Sequence, residues 1–519
     1  MSATDRVVIV GAGLAALYAA LSLAPRPVLV ISPKPLGEGA SSAFAQGGVA
    51  AAAGPDDSPA RHAADTIRAG AGTVDQRVAE QVTAEALEHV LALAERGAPF
   101  DRTDAGGFVL SREAAHDRAR VVRVKGDGAG RAIMTALIGA VRATPSVQVL
   151  EGVIATGLEI EGGRVTGLRL AAADGQSGEG VLLAPAVLLA TGGAGGLYAR
   201  TTNPGSIRGQ GLGIAALAGA AVADAEFVQF HPTAIDCDAD PLPLATEALR
   251  GEGAVLVNAG GERFMTAVHP DAELAPRDVV ARAVFAEWRA GQRPMLDTRA
   301  AIGTAIDTRF PTVAGSCRAL GIDPALEPIP VTAAAHYHMG GIAVSEAGRS
   351  SLPGLWAIGE VSCTGLHGAN RLASNGLLEA LVYGRSAAHD IAMALGAPGA
   401  APELAFTPPP GEVAPPEEAV ARLRRIMTEE VGVTRSGAGL RAALRGIAEL
   451  EAGTGSPVFR AMTAAATLIA GAALAREESR GGHYRTDFPD ADPKRALRSR
   501  MTLAGAERIR AGAMGEVTA

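Results

Sequence analysis

Cysteine is scarce in this sequence: Cys237, Cys317 and Cys363 are the only three, and no two stand at C-x-x-C spacing. Such a set supplies neither a disulfide framework nor the ligands of a zinc or iron–sulfur site, so no metal is expected, and it suits a reducing cytoplasm. A surplus of positive charge is also missing. With a net charge of -8 and no basic cluster, recognition of nucleic acid through its phosphates is not expected. The chain shows no secretory-signal pattern near its start, where Asp5 and Arg6 lead into a strand-like Val7–Val10. The longest apolar stretch, Ala461 to Ala475, is short and Ala-rich for a bilayer span and reads as a core helix, so no membrane partner is expected.

What is present is a long globular chain. Its 519 residues exceed what one hydrophobic core usually supports, which predicts two or three domains. Hydrophobic residues at 48% and charged residues at 20% are ordinary for a soluble protein, and 65 glycines argue for close backbone packing and tight βα turns. The opening reads as strand Val7–Val10, a Gly-rich turn, helix Leu14–Leu23, a Pro25–Pro27 break and strand Val28–Ile31, a βαβ order. Two further strand-to-glycine junctions follow, Ala186–Ala190 into Thr191-Gly192-Gly193, and Leu355–Ile358 into Gly359-Glu360. Three such junctions separated by long insertions predict an α/β fold with one Rossmann-like nucleotide-binding domain assembled from discontinuous segments.

The segment from Asp236 to Pro330 lacks the βαβ pattern and reads as an inserted α+β capping domain. Pro and Ala enrichment from Ala397 to Glu417 marks an extended linker. Beyond it, Ala419–Glu430, Leu440–Ala452 and Val458–Glu478 have helix-former composition and predict a small C-terminal helical bundle. The expected division is 1–235 and 335–396 for the nucleotide-binding domain, 236–334 for the cap, 397–417 for the linker and 418–519 for the helical domain.

Gly11-Ala12-Gly13-Leu14-Ala15-Ala16 matches G-x-G-x-x-G/A between a strand and a helix. Gly11 permits the tight turn, Gly13 lets a pyrophosphate approach the backbone, and Ala16 keeps helix and strand close. A Gly-rich βα turn without ligand has the same sequence. The acidic residue that normally follows the second strand to hold ribose hydroxyls is replaced by Ser32-Pro33-Lys34, which argues against ordinary NAD binding and offers Lys34 to a phosphate.

The segment Ser41-Ser42-Ala43-Phe44-Ala45-Gln46-Gly47-Gly48-Val49-Ala50 resembles the A-Q-G-G flavin segment of the flavoprotein superfamily that holds succinate dehydrogenases, fumarate reductases and aspartate oxidases. Further matches run along essentially the whole chain. They include Gln229-Phe230-His231-Pro232-Thr233, Thr246-Glu247-Ala248-Leu249-Arg250-Gly251, Pro276-Arg277-Asp278, His336-Tyr337-His338-Met339-Gly340-Gly341, Asn370-Arg371-Leu372-Ala373-Ser374-Asn375 and Glu478-Ser479-Arg480-Gly481. The resemblance implies FAD, held by Gly11, Ala12, Gly13, Leu14, Ala15, Lys34, the segment from Ser41 through Ser42, Ala43, Phe44, Ala45, Gln46 and Gly47 to Gly48, then Thr191, Gly192, Gly193, Gln210, Glu360, Ser374, Asn375, Gly376 and Leu377. Covalent members carry a His where this chain has Ser41, so the flavin is expected to be non-covalent. Gln210 stands where the family usually has Asp, keeping hydrogen-bonding capacity without the charge.

A four-carbon dicarboxylate needs an anion site at each end, built from guanidinium, imidazole, hydroxyl or amide groups. Arg371, His231, Thr246 and His336 supply these types; apart from the resemblance, Arg371 reads first as a structural ion pair. His336 and His338 would share one face of a regular strand, but no third ligand accompanies them. His338 is expected to be a hydrogen-bonded core residue, and Gly340-Gly341 to allow close approach to flavin or substrate. The resemblance assigns proton transfer to Arg277, although a guanidinium with a pKa above ~12 makes a poor base. Glu113 matches the acidic residue of the oxidase branch and is the candidate acceptor for a substrate ammonium, against the plain reading of a solvated loop carboxylate. The implied reaction is FAD-dependent oxidation of L-aspartate to iminoaspartate, with oxygen or fumarate as electron acceptor and onward passage to quinolinate synthase. The alternatives are a soluble fumarate reductase or dehydrogenase-type subunit and, from another class, a flavin-binding module without catalysis.

Overall fold

The computed structural model describes residues 1–515. At its centre, a five-stranded parallel sheet runs in the order Leu355–Ala357, Val187–Leu189, Val7–Val10, Val28–Ser32, Val147–Glu151. Alternate residues serve opposite cores. Val7, Ile9, Val28 and Val30 pack against helices Leu14–Leu23, Gln76–Glu95, Ala129–Arg142 and Asn375–Leu395. Val8, Val10, Leu29 and Ile31 join a second core with strands Val153–Glu161, Arg164–Ala172 and Gly180–Leu183 and with the C-terminal helices. Burial on both faces explains why these strands read as unbroken apolar runs.

The three strand-to-glycine junctions become neighbours. Their strands are adjacent and parallel, so Gly11, Thr191, Gly192, Gly359 and Glu360 meet on one edge, where they line a common cavity. Open parallel sheets bind ligands at this carboxyl edge. The fold is the expected α/β class, with a nucleotide-binding domain of discontinuous segments and a C-terminal helical domain.

The cap is built on an antiparallel sheet ordered Val228–Ile235, Ile329–His338, Met295–Asp297, Val255–Val257. Helices Arg277–Arg289 and Pro311–Ala319 accompany it over a core of its own. The two longest strands form a stem, since both continue out of the cap toward the central domain. Asp127, from the central domain, accepts the amides of Thr312 (3.2 Å) and Val313 (3.0 Å) and so caps the start of Pro311–Ala319.

Residues 397–416 are extended, and they are docked rather than free. Gln148 pairs with both backbone groups of Leu404 at 2.7 and 2.9 Å, and Gly178 N donates to Pro409 O at 2.8 Å. The C-terminal helices are Glu417–Glu430, Gly437–Ala452 and Pro457–Ala475, followed by Leu503–Gly515. The third ends at Ala475, three residues before the expected Glu478, because Arg476 turns to extended backbone and bonds Glu226 at 2.6 Å and Glu478 at 2.7 Å. At 19 residues it is longer than the apolar stretch suggested and is long and apolar enough to cross a membrane. Here most of it is buried against neighbouring helices. One of its neighbours is Gln210–Leu217, which carries Gly213 against Ala461. A Cβ on Gly213 would lie 1.9 Å from Ala461 O. Overpacking of this kind costs about 1–3 kcal/mol, so Gly213→Ala should lower the thermal midpoint measured at saturating cofactor by a few degrees.

Candidate active site

A cavity of about 2160 Å³ runs from the carboxyl edge of the sheet to the underside of the cap. At the nucleotide end, Gly11 has φ +118°, and a Cβ there would sit 2.2 Å from Ala190 O. Only glycine makes this turn while the neighbouring strand passes so close. The turn feeds Leu14–Leu23, whose first amide, Leu14 N, donates to Ser42 Oγ at 3.2 Å, joining the glycine turn to the Ser41–Phe44 segment. The helix presents its positive end to the cavity. Lys34 lines the wall beyond the second strand, where Ser32 Oγ donates to Lys34 O at 2.6 Å and fixes the bend.

Of the residues expected at the cofactor, Ala12, Gly13, Ala15, the run Ser41 to Gly48, Thr191, Gly192, Gln210, Glu360, Ser374, Gly376 and Leu377 line the cavity along with those just named. Gly193 and Asn375 do not. Gly193 leaves the space that the Glu360 carboxyl fills, since a Cβ there would be 2.1 Å from Oε1. Asn375 faces away, bonding Thr66 Oγ1 at 2.9 Å and His62 Nε2 at 2.8 Å. Glu360 accepts the His338 amide at 2.9 Å, and burial pushes its carboxyl up to about 7. Gln210 ties its own loop, accepting Arg208 N at 2.9 Å and donating to Ser206 O at 3.2 Å. Ser41 Oγ donates to Asn203 Oδ1 at 3.0 Å, and Gln46 Nε2 reaches the cap at Leu244 O, 2.9 Å away.

The far end of the cavity is built on the stem. Register shifts between Gln229 and Phe230 and between His231 and Ala234 break the regular pairing of its two strands. The second accommodates Pro232, which has no amide for the ladder. The first places consecutive residues His336 and Tyr337 on the cavity and turns His338 away from it. His336 and His338 therefore do not share a face. His338 is buried and bonds Ala225 O through Nε2 at 2.9 Å. Gly340 and Gly341 also differ from expectation: the close approach they permit is to the chain itself, at Asp224 O and Val361 O.

His231 and His336 meet edge to face, ring centres 5.0 Å apart. Burial first, and then neighbouring positive or imidazole groups, hold both rings well below the usual histidine range, so both are neutral near pH 7. Thr233 N donates to His231 Nδ1 at 3.2 Å, which leaves the proton on Nε2, directed at the cavity as a donor. His336 Nδ1 pairs with Thr202 Oγ1 at 2.8 Å. Thr246 lines the cavity as the N-cap of the short helix Glu247–Gly251. Arg371 lies over the Tyr337 ring, 4.4 Å from its centre, with Nε buried and unpaired. Burial and the Arg277 charge bring Arg371 down to about 10, still a cation at neutral pH.

Arg277 begins helix Arg277–Arg289 and is held by Glu247 through Nε at 2.8 Å and Nη2 at 2.5 Å, and by Gln229 Oε1 at 3.0 Å. Glu247 also accepts Arg250 Nη2 at 3.0 Å. Burial opposes the Glu247 charge, yet the two guanidiniums keep its carboxyl below the usual range. Glu113, 3% exposed, is no solvated loop residue. Ser374 Oγ donates to it at 2.9 Å, while burial and then the Glu247 charge hold its carboxyl above the usual range. Gln229, Glu247, Arg250 and Tyr337 had no role in the sequence reading. The i,i+3 spacing of Glu247 and Arg250 was the available signal, but on a helix it reads equally as a surface pair.

The chain matches the FAD binding domain model over residues 6–377 and the fumarate reductase flavoprotein C-terminal model over residues 458–511. It is 56% identical to L-aspartate oxidase of Caulobacter vibrioides, over 96% of each chain, and 49% identical to that of Agrobacterium fabrum, over 96% of this chain and 94% of the other. The chain belongs to the L-aspartate oxidase family. Among solved structures, it superposes on E. coli quinol fumarate reductase with a TM-score of 0.84 at 28% identity, and on Mycobacterium smegmatis Sdh1 with a TM-score of 0.80 at 30% identity. Both superpositions cover 96% of this chain and 94% of the other.

The cofactor of an L-aspartate oxidase family member is FAD, and the residues present fit it. The glycine turn leaves no room for side chains, the helix behind it favours an anion, and Gln46 Oε1 and Thr191 Oγ1 on the cavity wall are buried without a protein partner. Gly11→Ala should weaken FAD binding by about a hundredfold or more, on the order of the strain and clash it introduces, as read by flavin fluorescence titration.

Proposed function

We propose that the protein oxidises L-aspartate to iminoaspartate, the first step of de novo NAD biosynthesis. The observation that carries this reading is a buried carboxylate, Glu113, which lines the same cavity as Arg371, His231, Thr246 and His336 and, unlike Glu247, is not taken up by a guanidinium. A dicarboxylate without an amino group offers Glu113 only repulsion. An amino acid offers it an ammonium.

In this reading, Arg371 holds one substrate carboxylate by its guanidinium fork, with the Tyr337 ring beneath it. His231 Nε2–H, His336 and Thr246 donate to the carboxylates, and the neutral imidazoles do so without adding charge. Glu113 receives the ammonium and so turns Cα toward the Ser41–Gly48 side of the cavity. When bound, FAD supplies the two-electron acceptor for the Cα–H bond. The cap excludes water and brings Thr246 and Arg277 to the substrate. Arg277, held in place by Glu247, stabilises the substrate's negative charge. In fumarate reduction it donates a proton to the substrate carbon and regains one from solvent, for which the hydrogen-bonded chain of Arg250 and Glu247 is the path.

Oxygen, or fumarate when oxygen is scarce, takes the electrons onward, and iminoaspartate passes to quinolinate synthase. Ser41 makes no covalent flavin link, so FAD is held by contacts alone. The reaction takes place in the cytoplasm, where the free thiols of Cys237, Cys317 and Cys363 stay reduced. The likeness to fumarate reductase keeps a second reading in view, a flavoprotein subunit that reduces fumarate or oxidises succinate.

The two are separated by supplying FAD to the purified protein and comparing hydrogen peroxide release with L-aspartate, D-aspartate, succinate and L-glutamate. Release is expected with L-aspartate; flavin reduction by succinate and not by aspartate would establish the second reading. Glu113→Gln should impair aspartate oxidation by about tenfold more than fumarate reduction, the size of a hydrogen bond to a charged group. Glu113 must be ionised to receive the ammonium, and its carboxyl titrates above the usual range. The kcat/KM for aspartate should therefore fall with decreasing pH earlier than an exposed carboxylate would dictate, and Glu113→Gln should remove that limb.

A further inference from the structure

We infer that Ser374 is a positioning residue that sets the preference for an amino acid over an unsubstituted dicarboxylate, by holding the Glu113 carboxylate at the substrate's amino group. The inference rests on the role of Glu113 given above.

Among the described residues, the only protein hydrogen bond to the Glu113 carboxyl comes from Ser374 Oγ, at 2.9 Å. Ser374 is in the left-handed region at φ +62°, ψ 3°, which residues other than glycine rarely adopt. Both flanks of the turn are tied down and keep it there. Ala373 O accepts His116 Nε2 at 3.0 Å, and Asn375 is anchored to Thr66 and His62. Such a conformation persists only where its surroundings over-determine it, and the result is a hydroxyl aimed at one carboxylate.

Gly47 packs beside this pair, next to the other carboxyl oxygen of Glu113. A Cβ there would lie 2.6 Å from Glu113 Oε1 and 3.0 Å from Ser374 Oγ, so carboxyl, hydroxyl and glycine Cα fill one another's space. The loop that carries Glu113 is anchored to the same turn. His116 joins it to Ala373, and the buried Arg120 bonds Asp57 at 2.8 Å and Asp117 at 2.6 Å, with His116 Nδ1 at 3.2 Å. The Ser374 bond is therefore the last link of a rigid frame. Without it, Glu113 faces burial and the like charge of Glu247 with no donor of its own.

The test compares wild type, Ser374→Ala, Ser374→Gly, Glu113→Gln and the double variant Ser374→Ala/Glu113→Gln, each saturated with FAD. Two readouts are the ratio of kcat/KM for L-aspartate oxidation to that for fumarate reduction, and the pH profile of the aspartate reaction. A fluorescence titration gives FAD affinity separately. Both serine variants should lower the ratio by about tenfold, as loss of one hydrogen bond to a charged group does, and should move the acid limb for aspartate to higher pH. Ser374→Ala should change the ratio no further once Glu113 is Gln. Equal losses in both reactions, a defect that Ser374→Gly restores, or weakened FAD binding at an unaltered ratio would each overturn the inference. If Glu113→Gln alone leaves the ratio unchanged, the role of Glu113 itself falls, and that outcome is distinct from inert Ser374 variants beside a sensitive Glu113.

Discussion

Arg250 and Arg371 are each buried within electrostatic reach of Arg277, and a buried cation is costly unless an anion and good hydrogen bonds accompany it. Glu247 is the anion that makes this concentration of charge tolerable. It takes two guanidiniums on one carboxylate and spares Arg371, which rests on an aromatic face instead. The cavity thus keeps an attraction for a ligand's carboxylates, while each guanidinium retains a fixed direction. Glu113 has the opposite environment. Two carboxylates in the same cavity are driven apart in ionisation, one held low by its cations and the other held high by burial and its neighbour, a separation typical of functional sites.

Backbone irregularity does as much as charge. Without the register shift before Phe230, strand alternation would put His336 and His338 on the cavity and bury Tyr337 behind them. With it, the imidazole that meets His231 and the ring that supports Arg371 come from adjacent positions. The same strand then supplies, through the His338 amide, a donor to Glu360 on the cofactor side.

Much of this was legible in the sequence because it depends on local pattern. The three apolar runs ending in glycine are readable as strands buried on two sides, and their convergence follows from the parallel-sheet rule. His231, Thr246, Arg277, His336 and Arg371 stand in motifs that pointed to them, and all five line the cavity. What escaped depends on contacts distant in sequence. Bulges come from the pairing of two strands some hundred positions apart, so neither strand alone predicts them. The burial of Glu113 depends on Arg120 and on the turn at Ser374, and a charged loop gives no sign of either. Gly340 and Gly341 signal close approach correctly, but whether the visitor is a ligand or another strand is not a local property.

The stem has a consequence for release. His231 and His336 belong to strands continuous with the central domain, and Arg371 belongs to that domain itself, whereas Thr246 and Arg277 are carried by the cap. Any swing of the cap about the stem divides the ligand's holders into a stationary group and a departing one. Glu247 and Arg250 travel with Arg277, so the departing guanidinium keeps the carboxylate that holds it in the closed site. The pairing that holds Arg277 in the closed site also stays intact when the site opens.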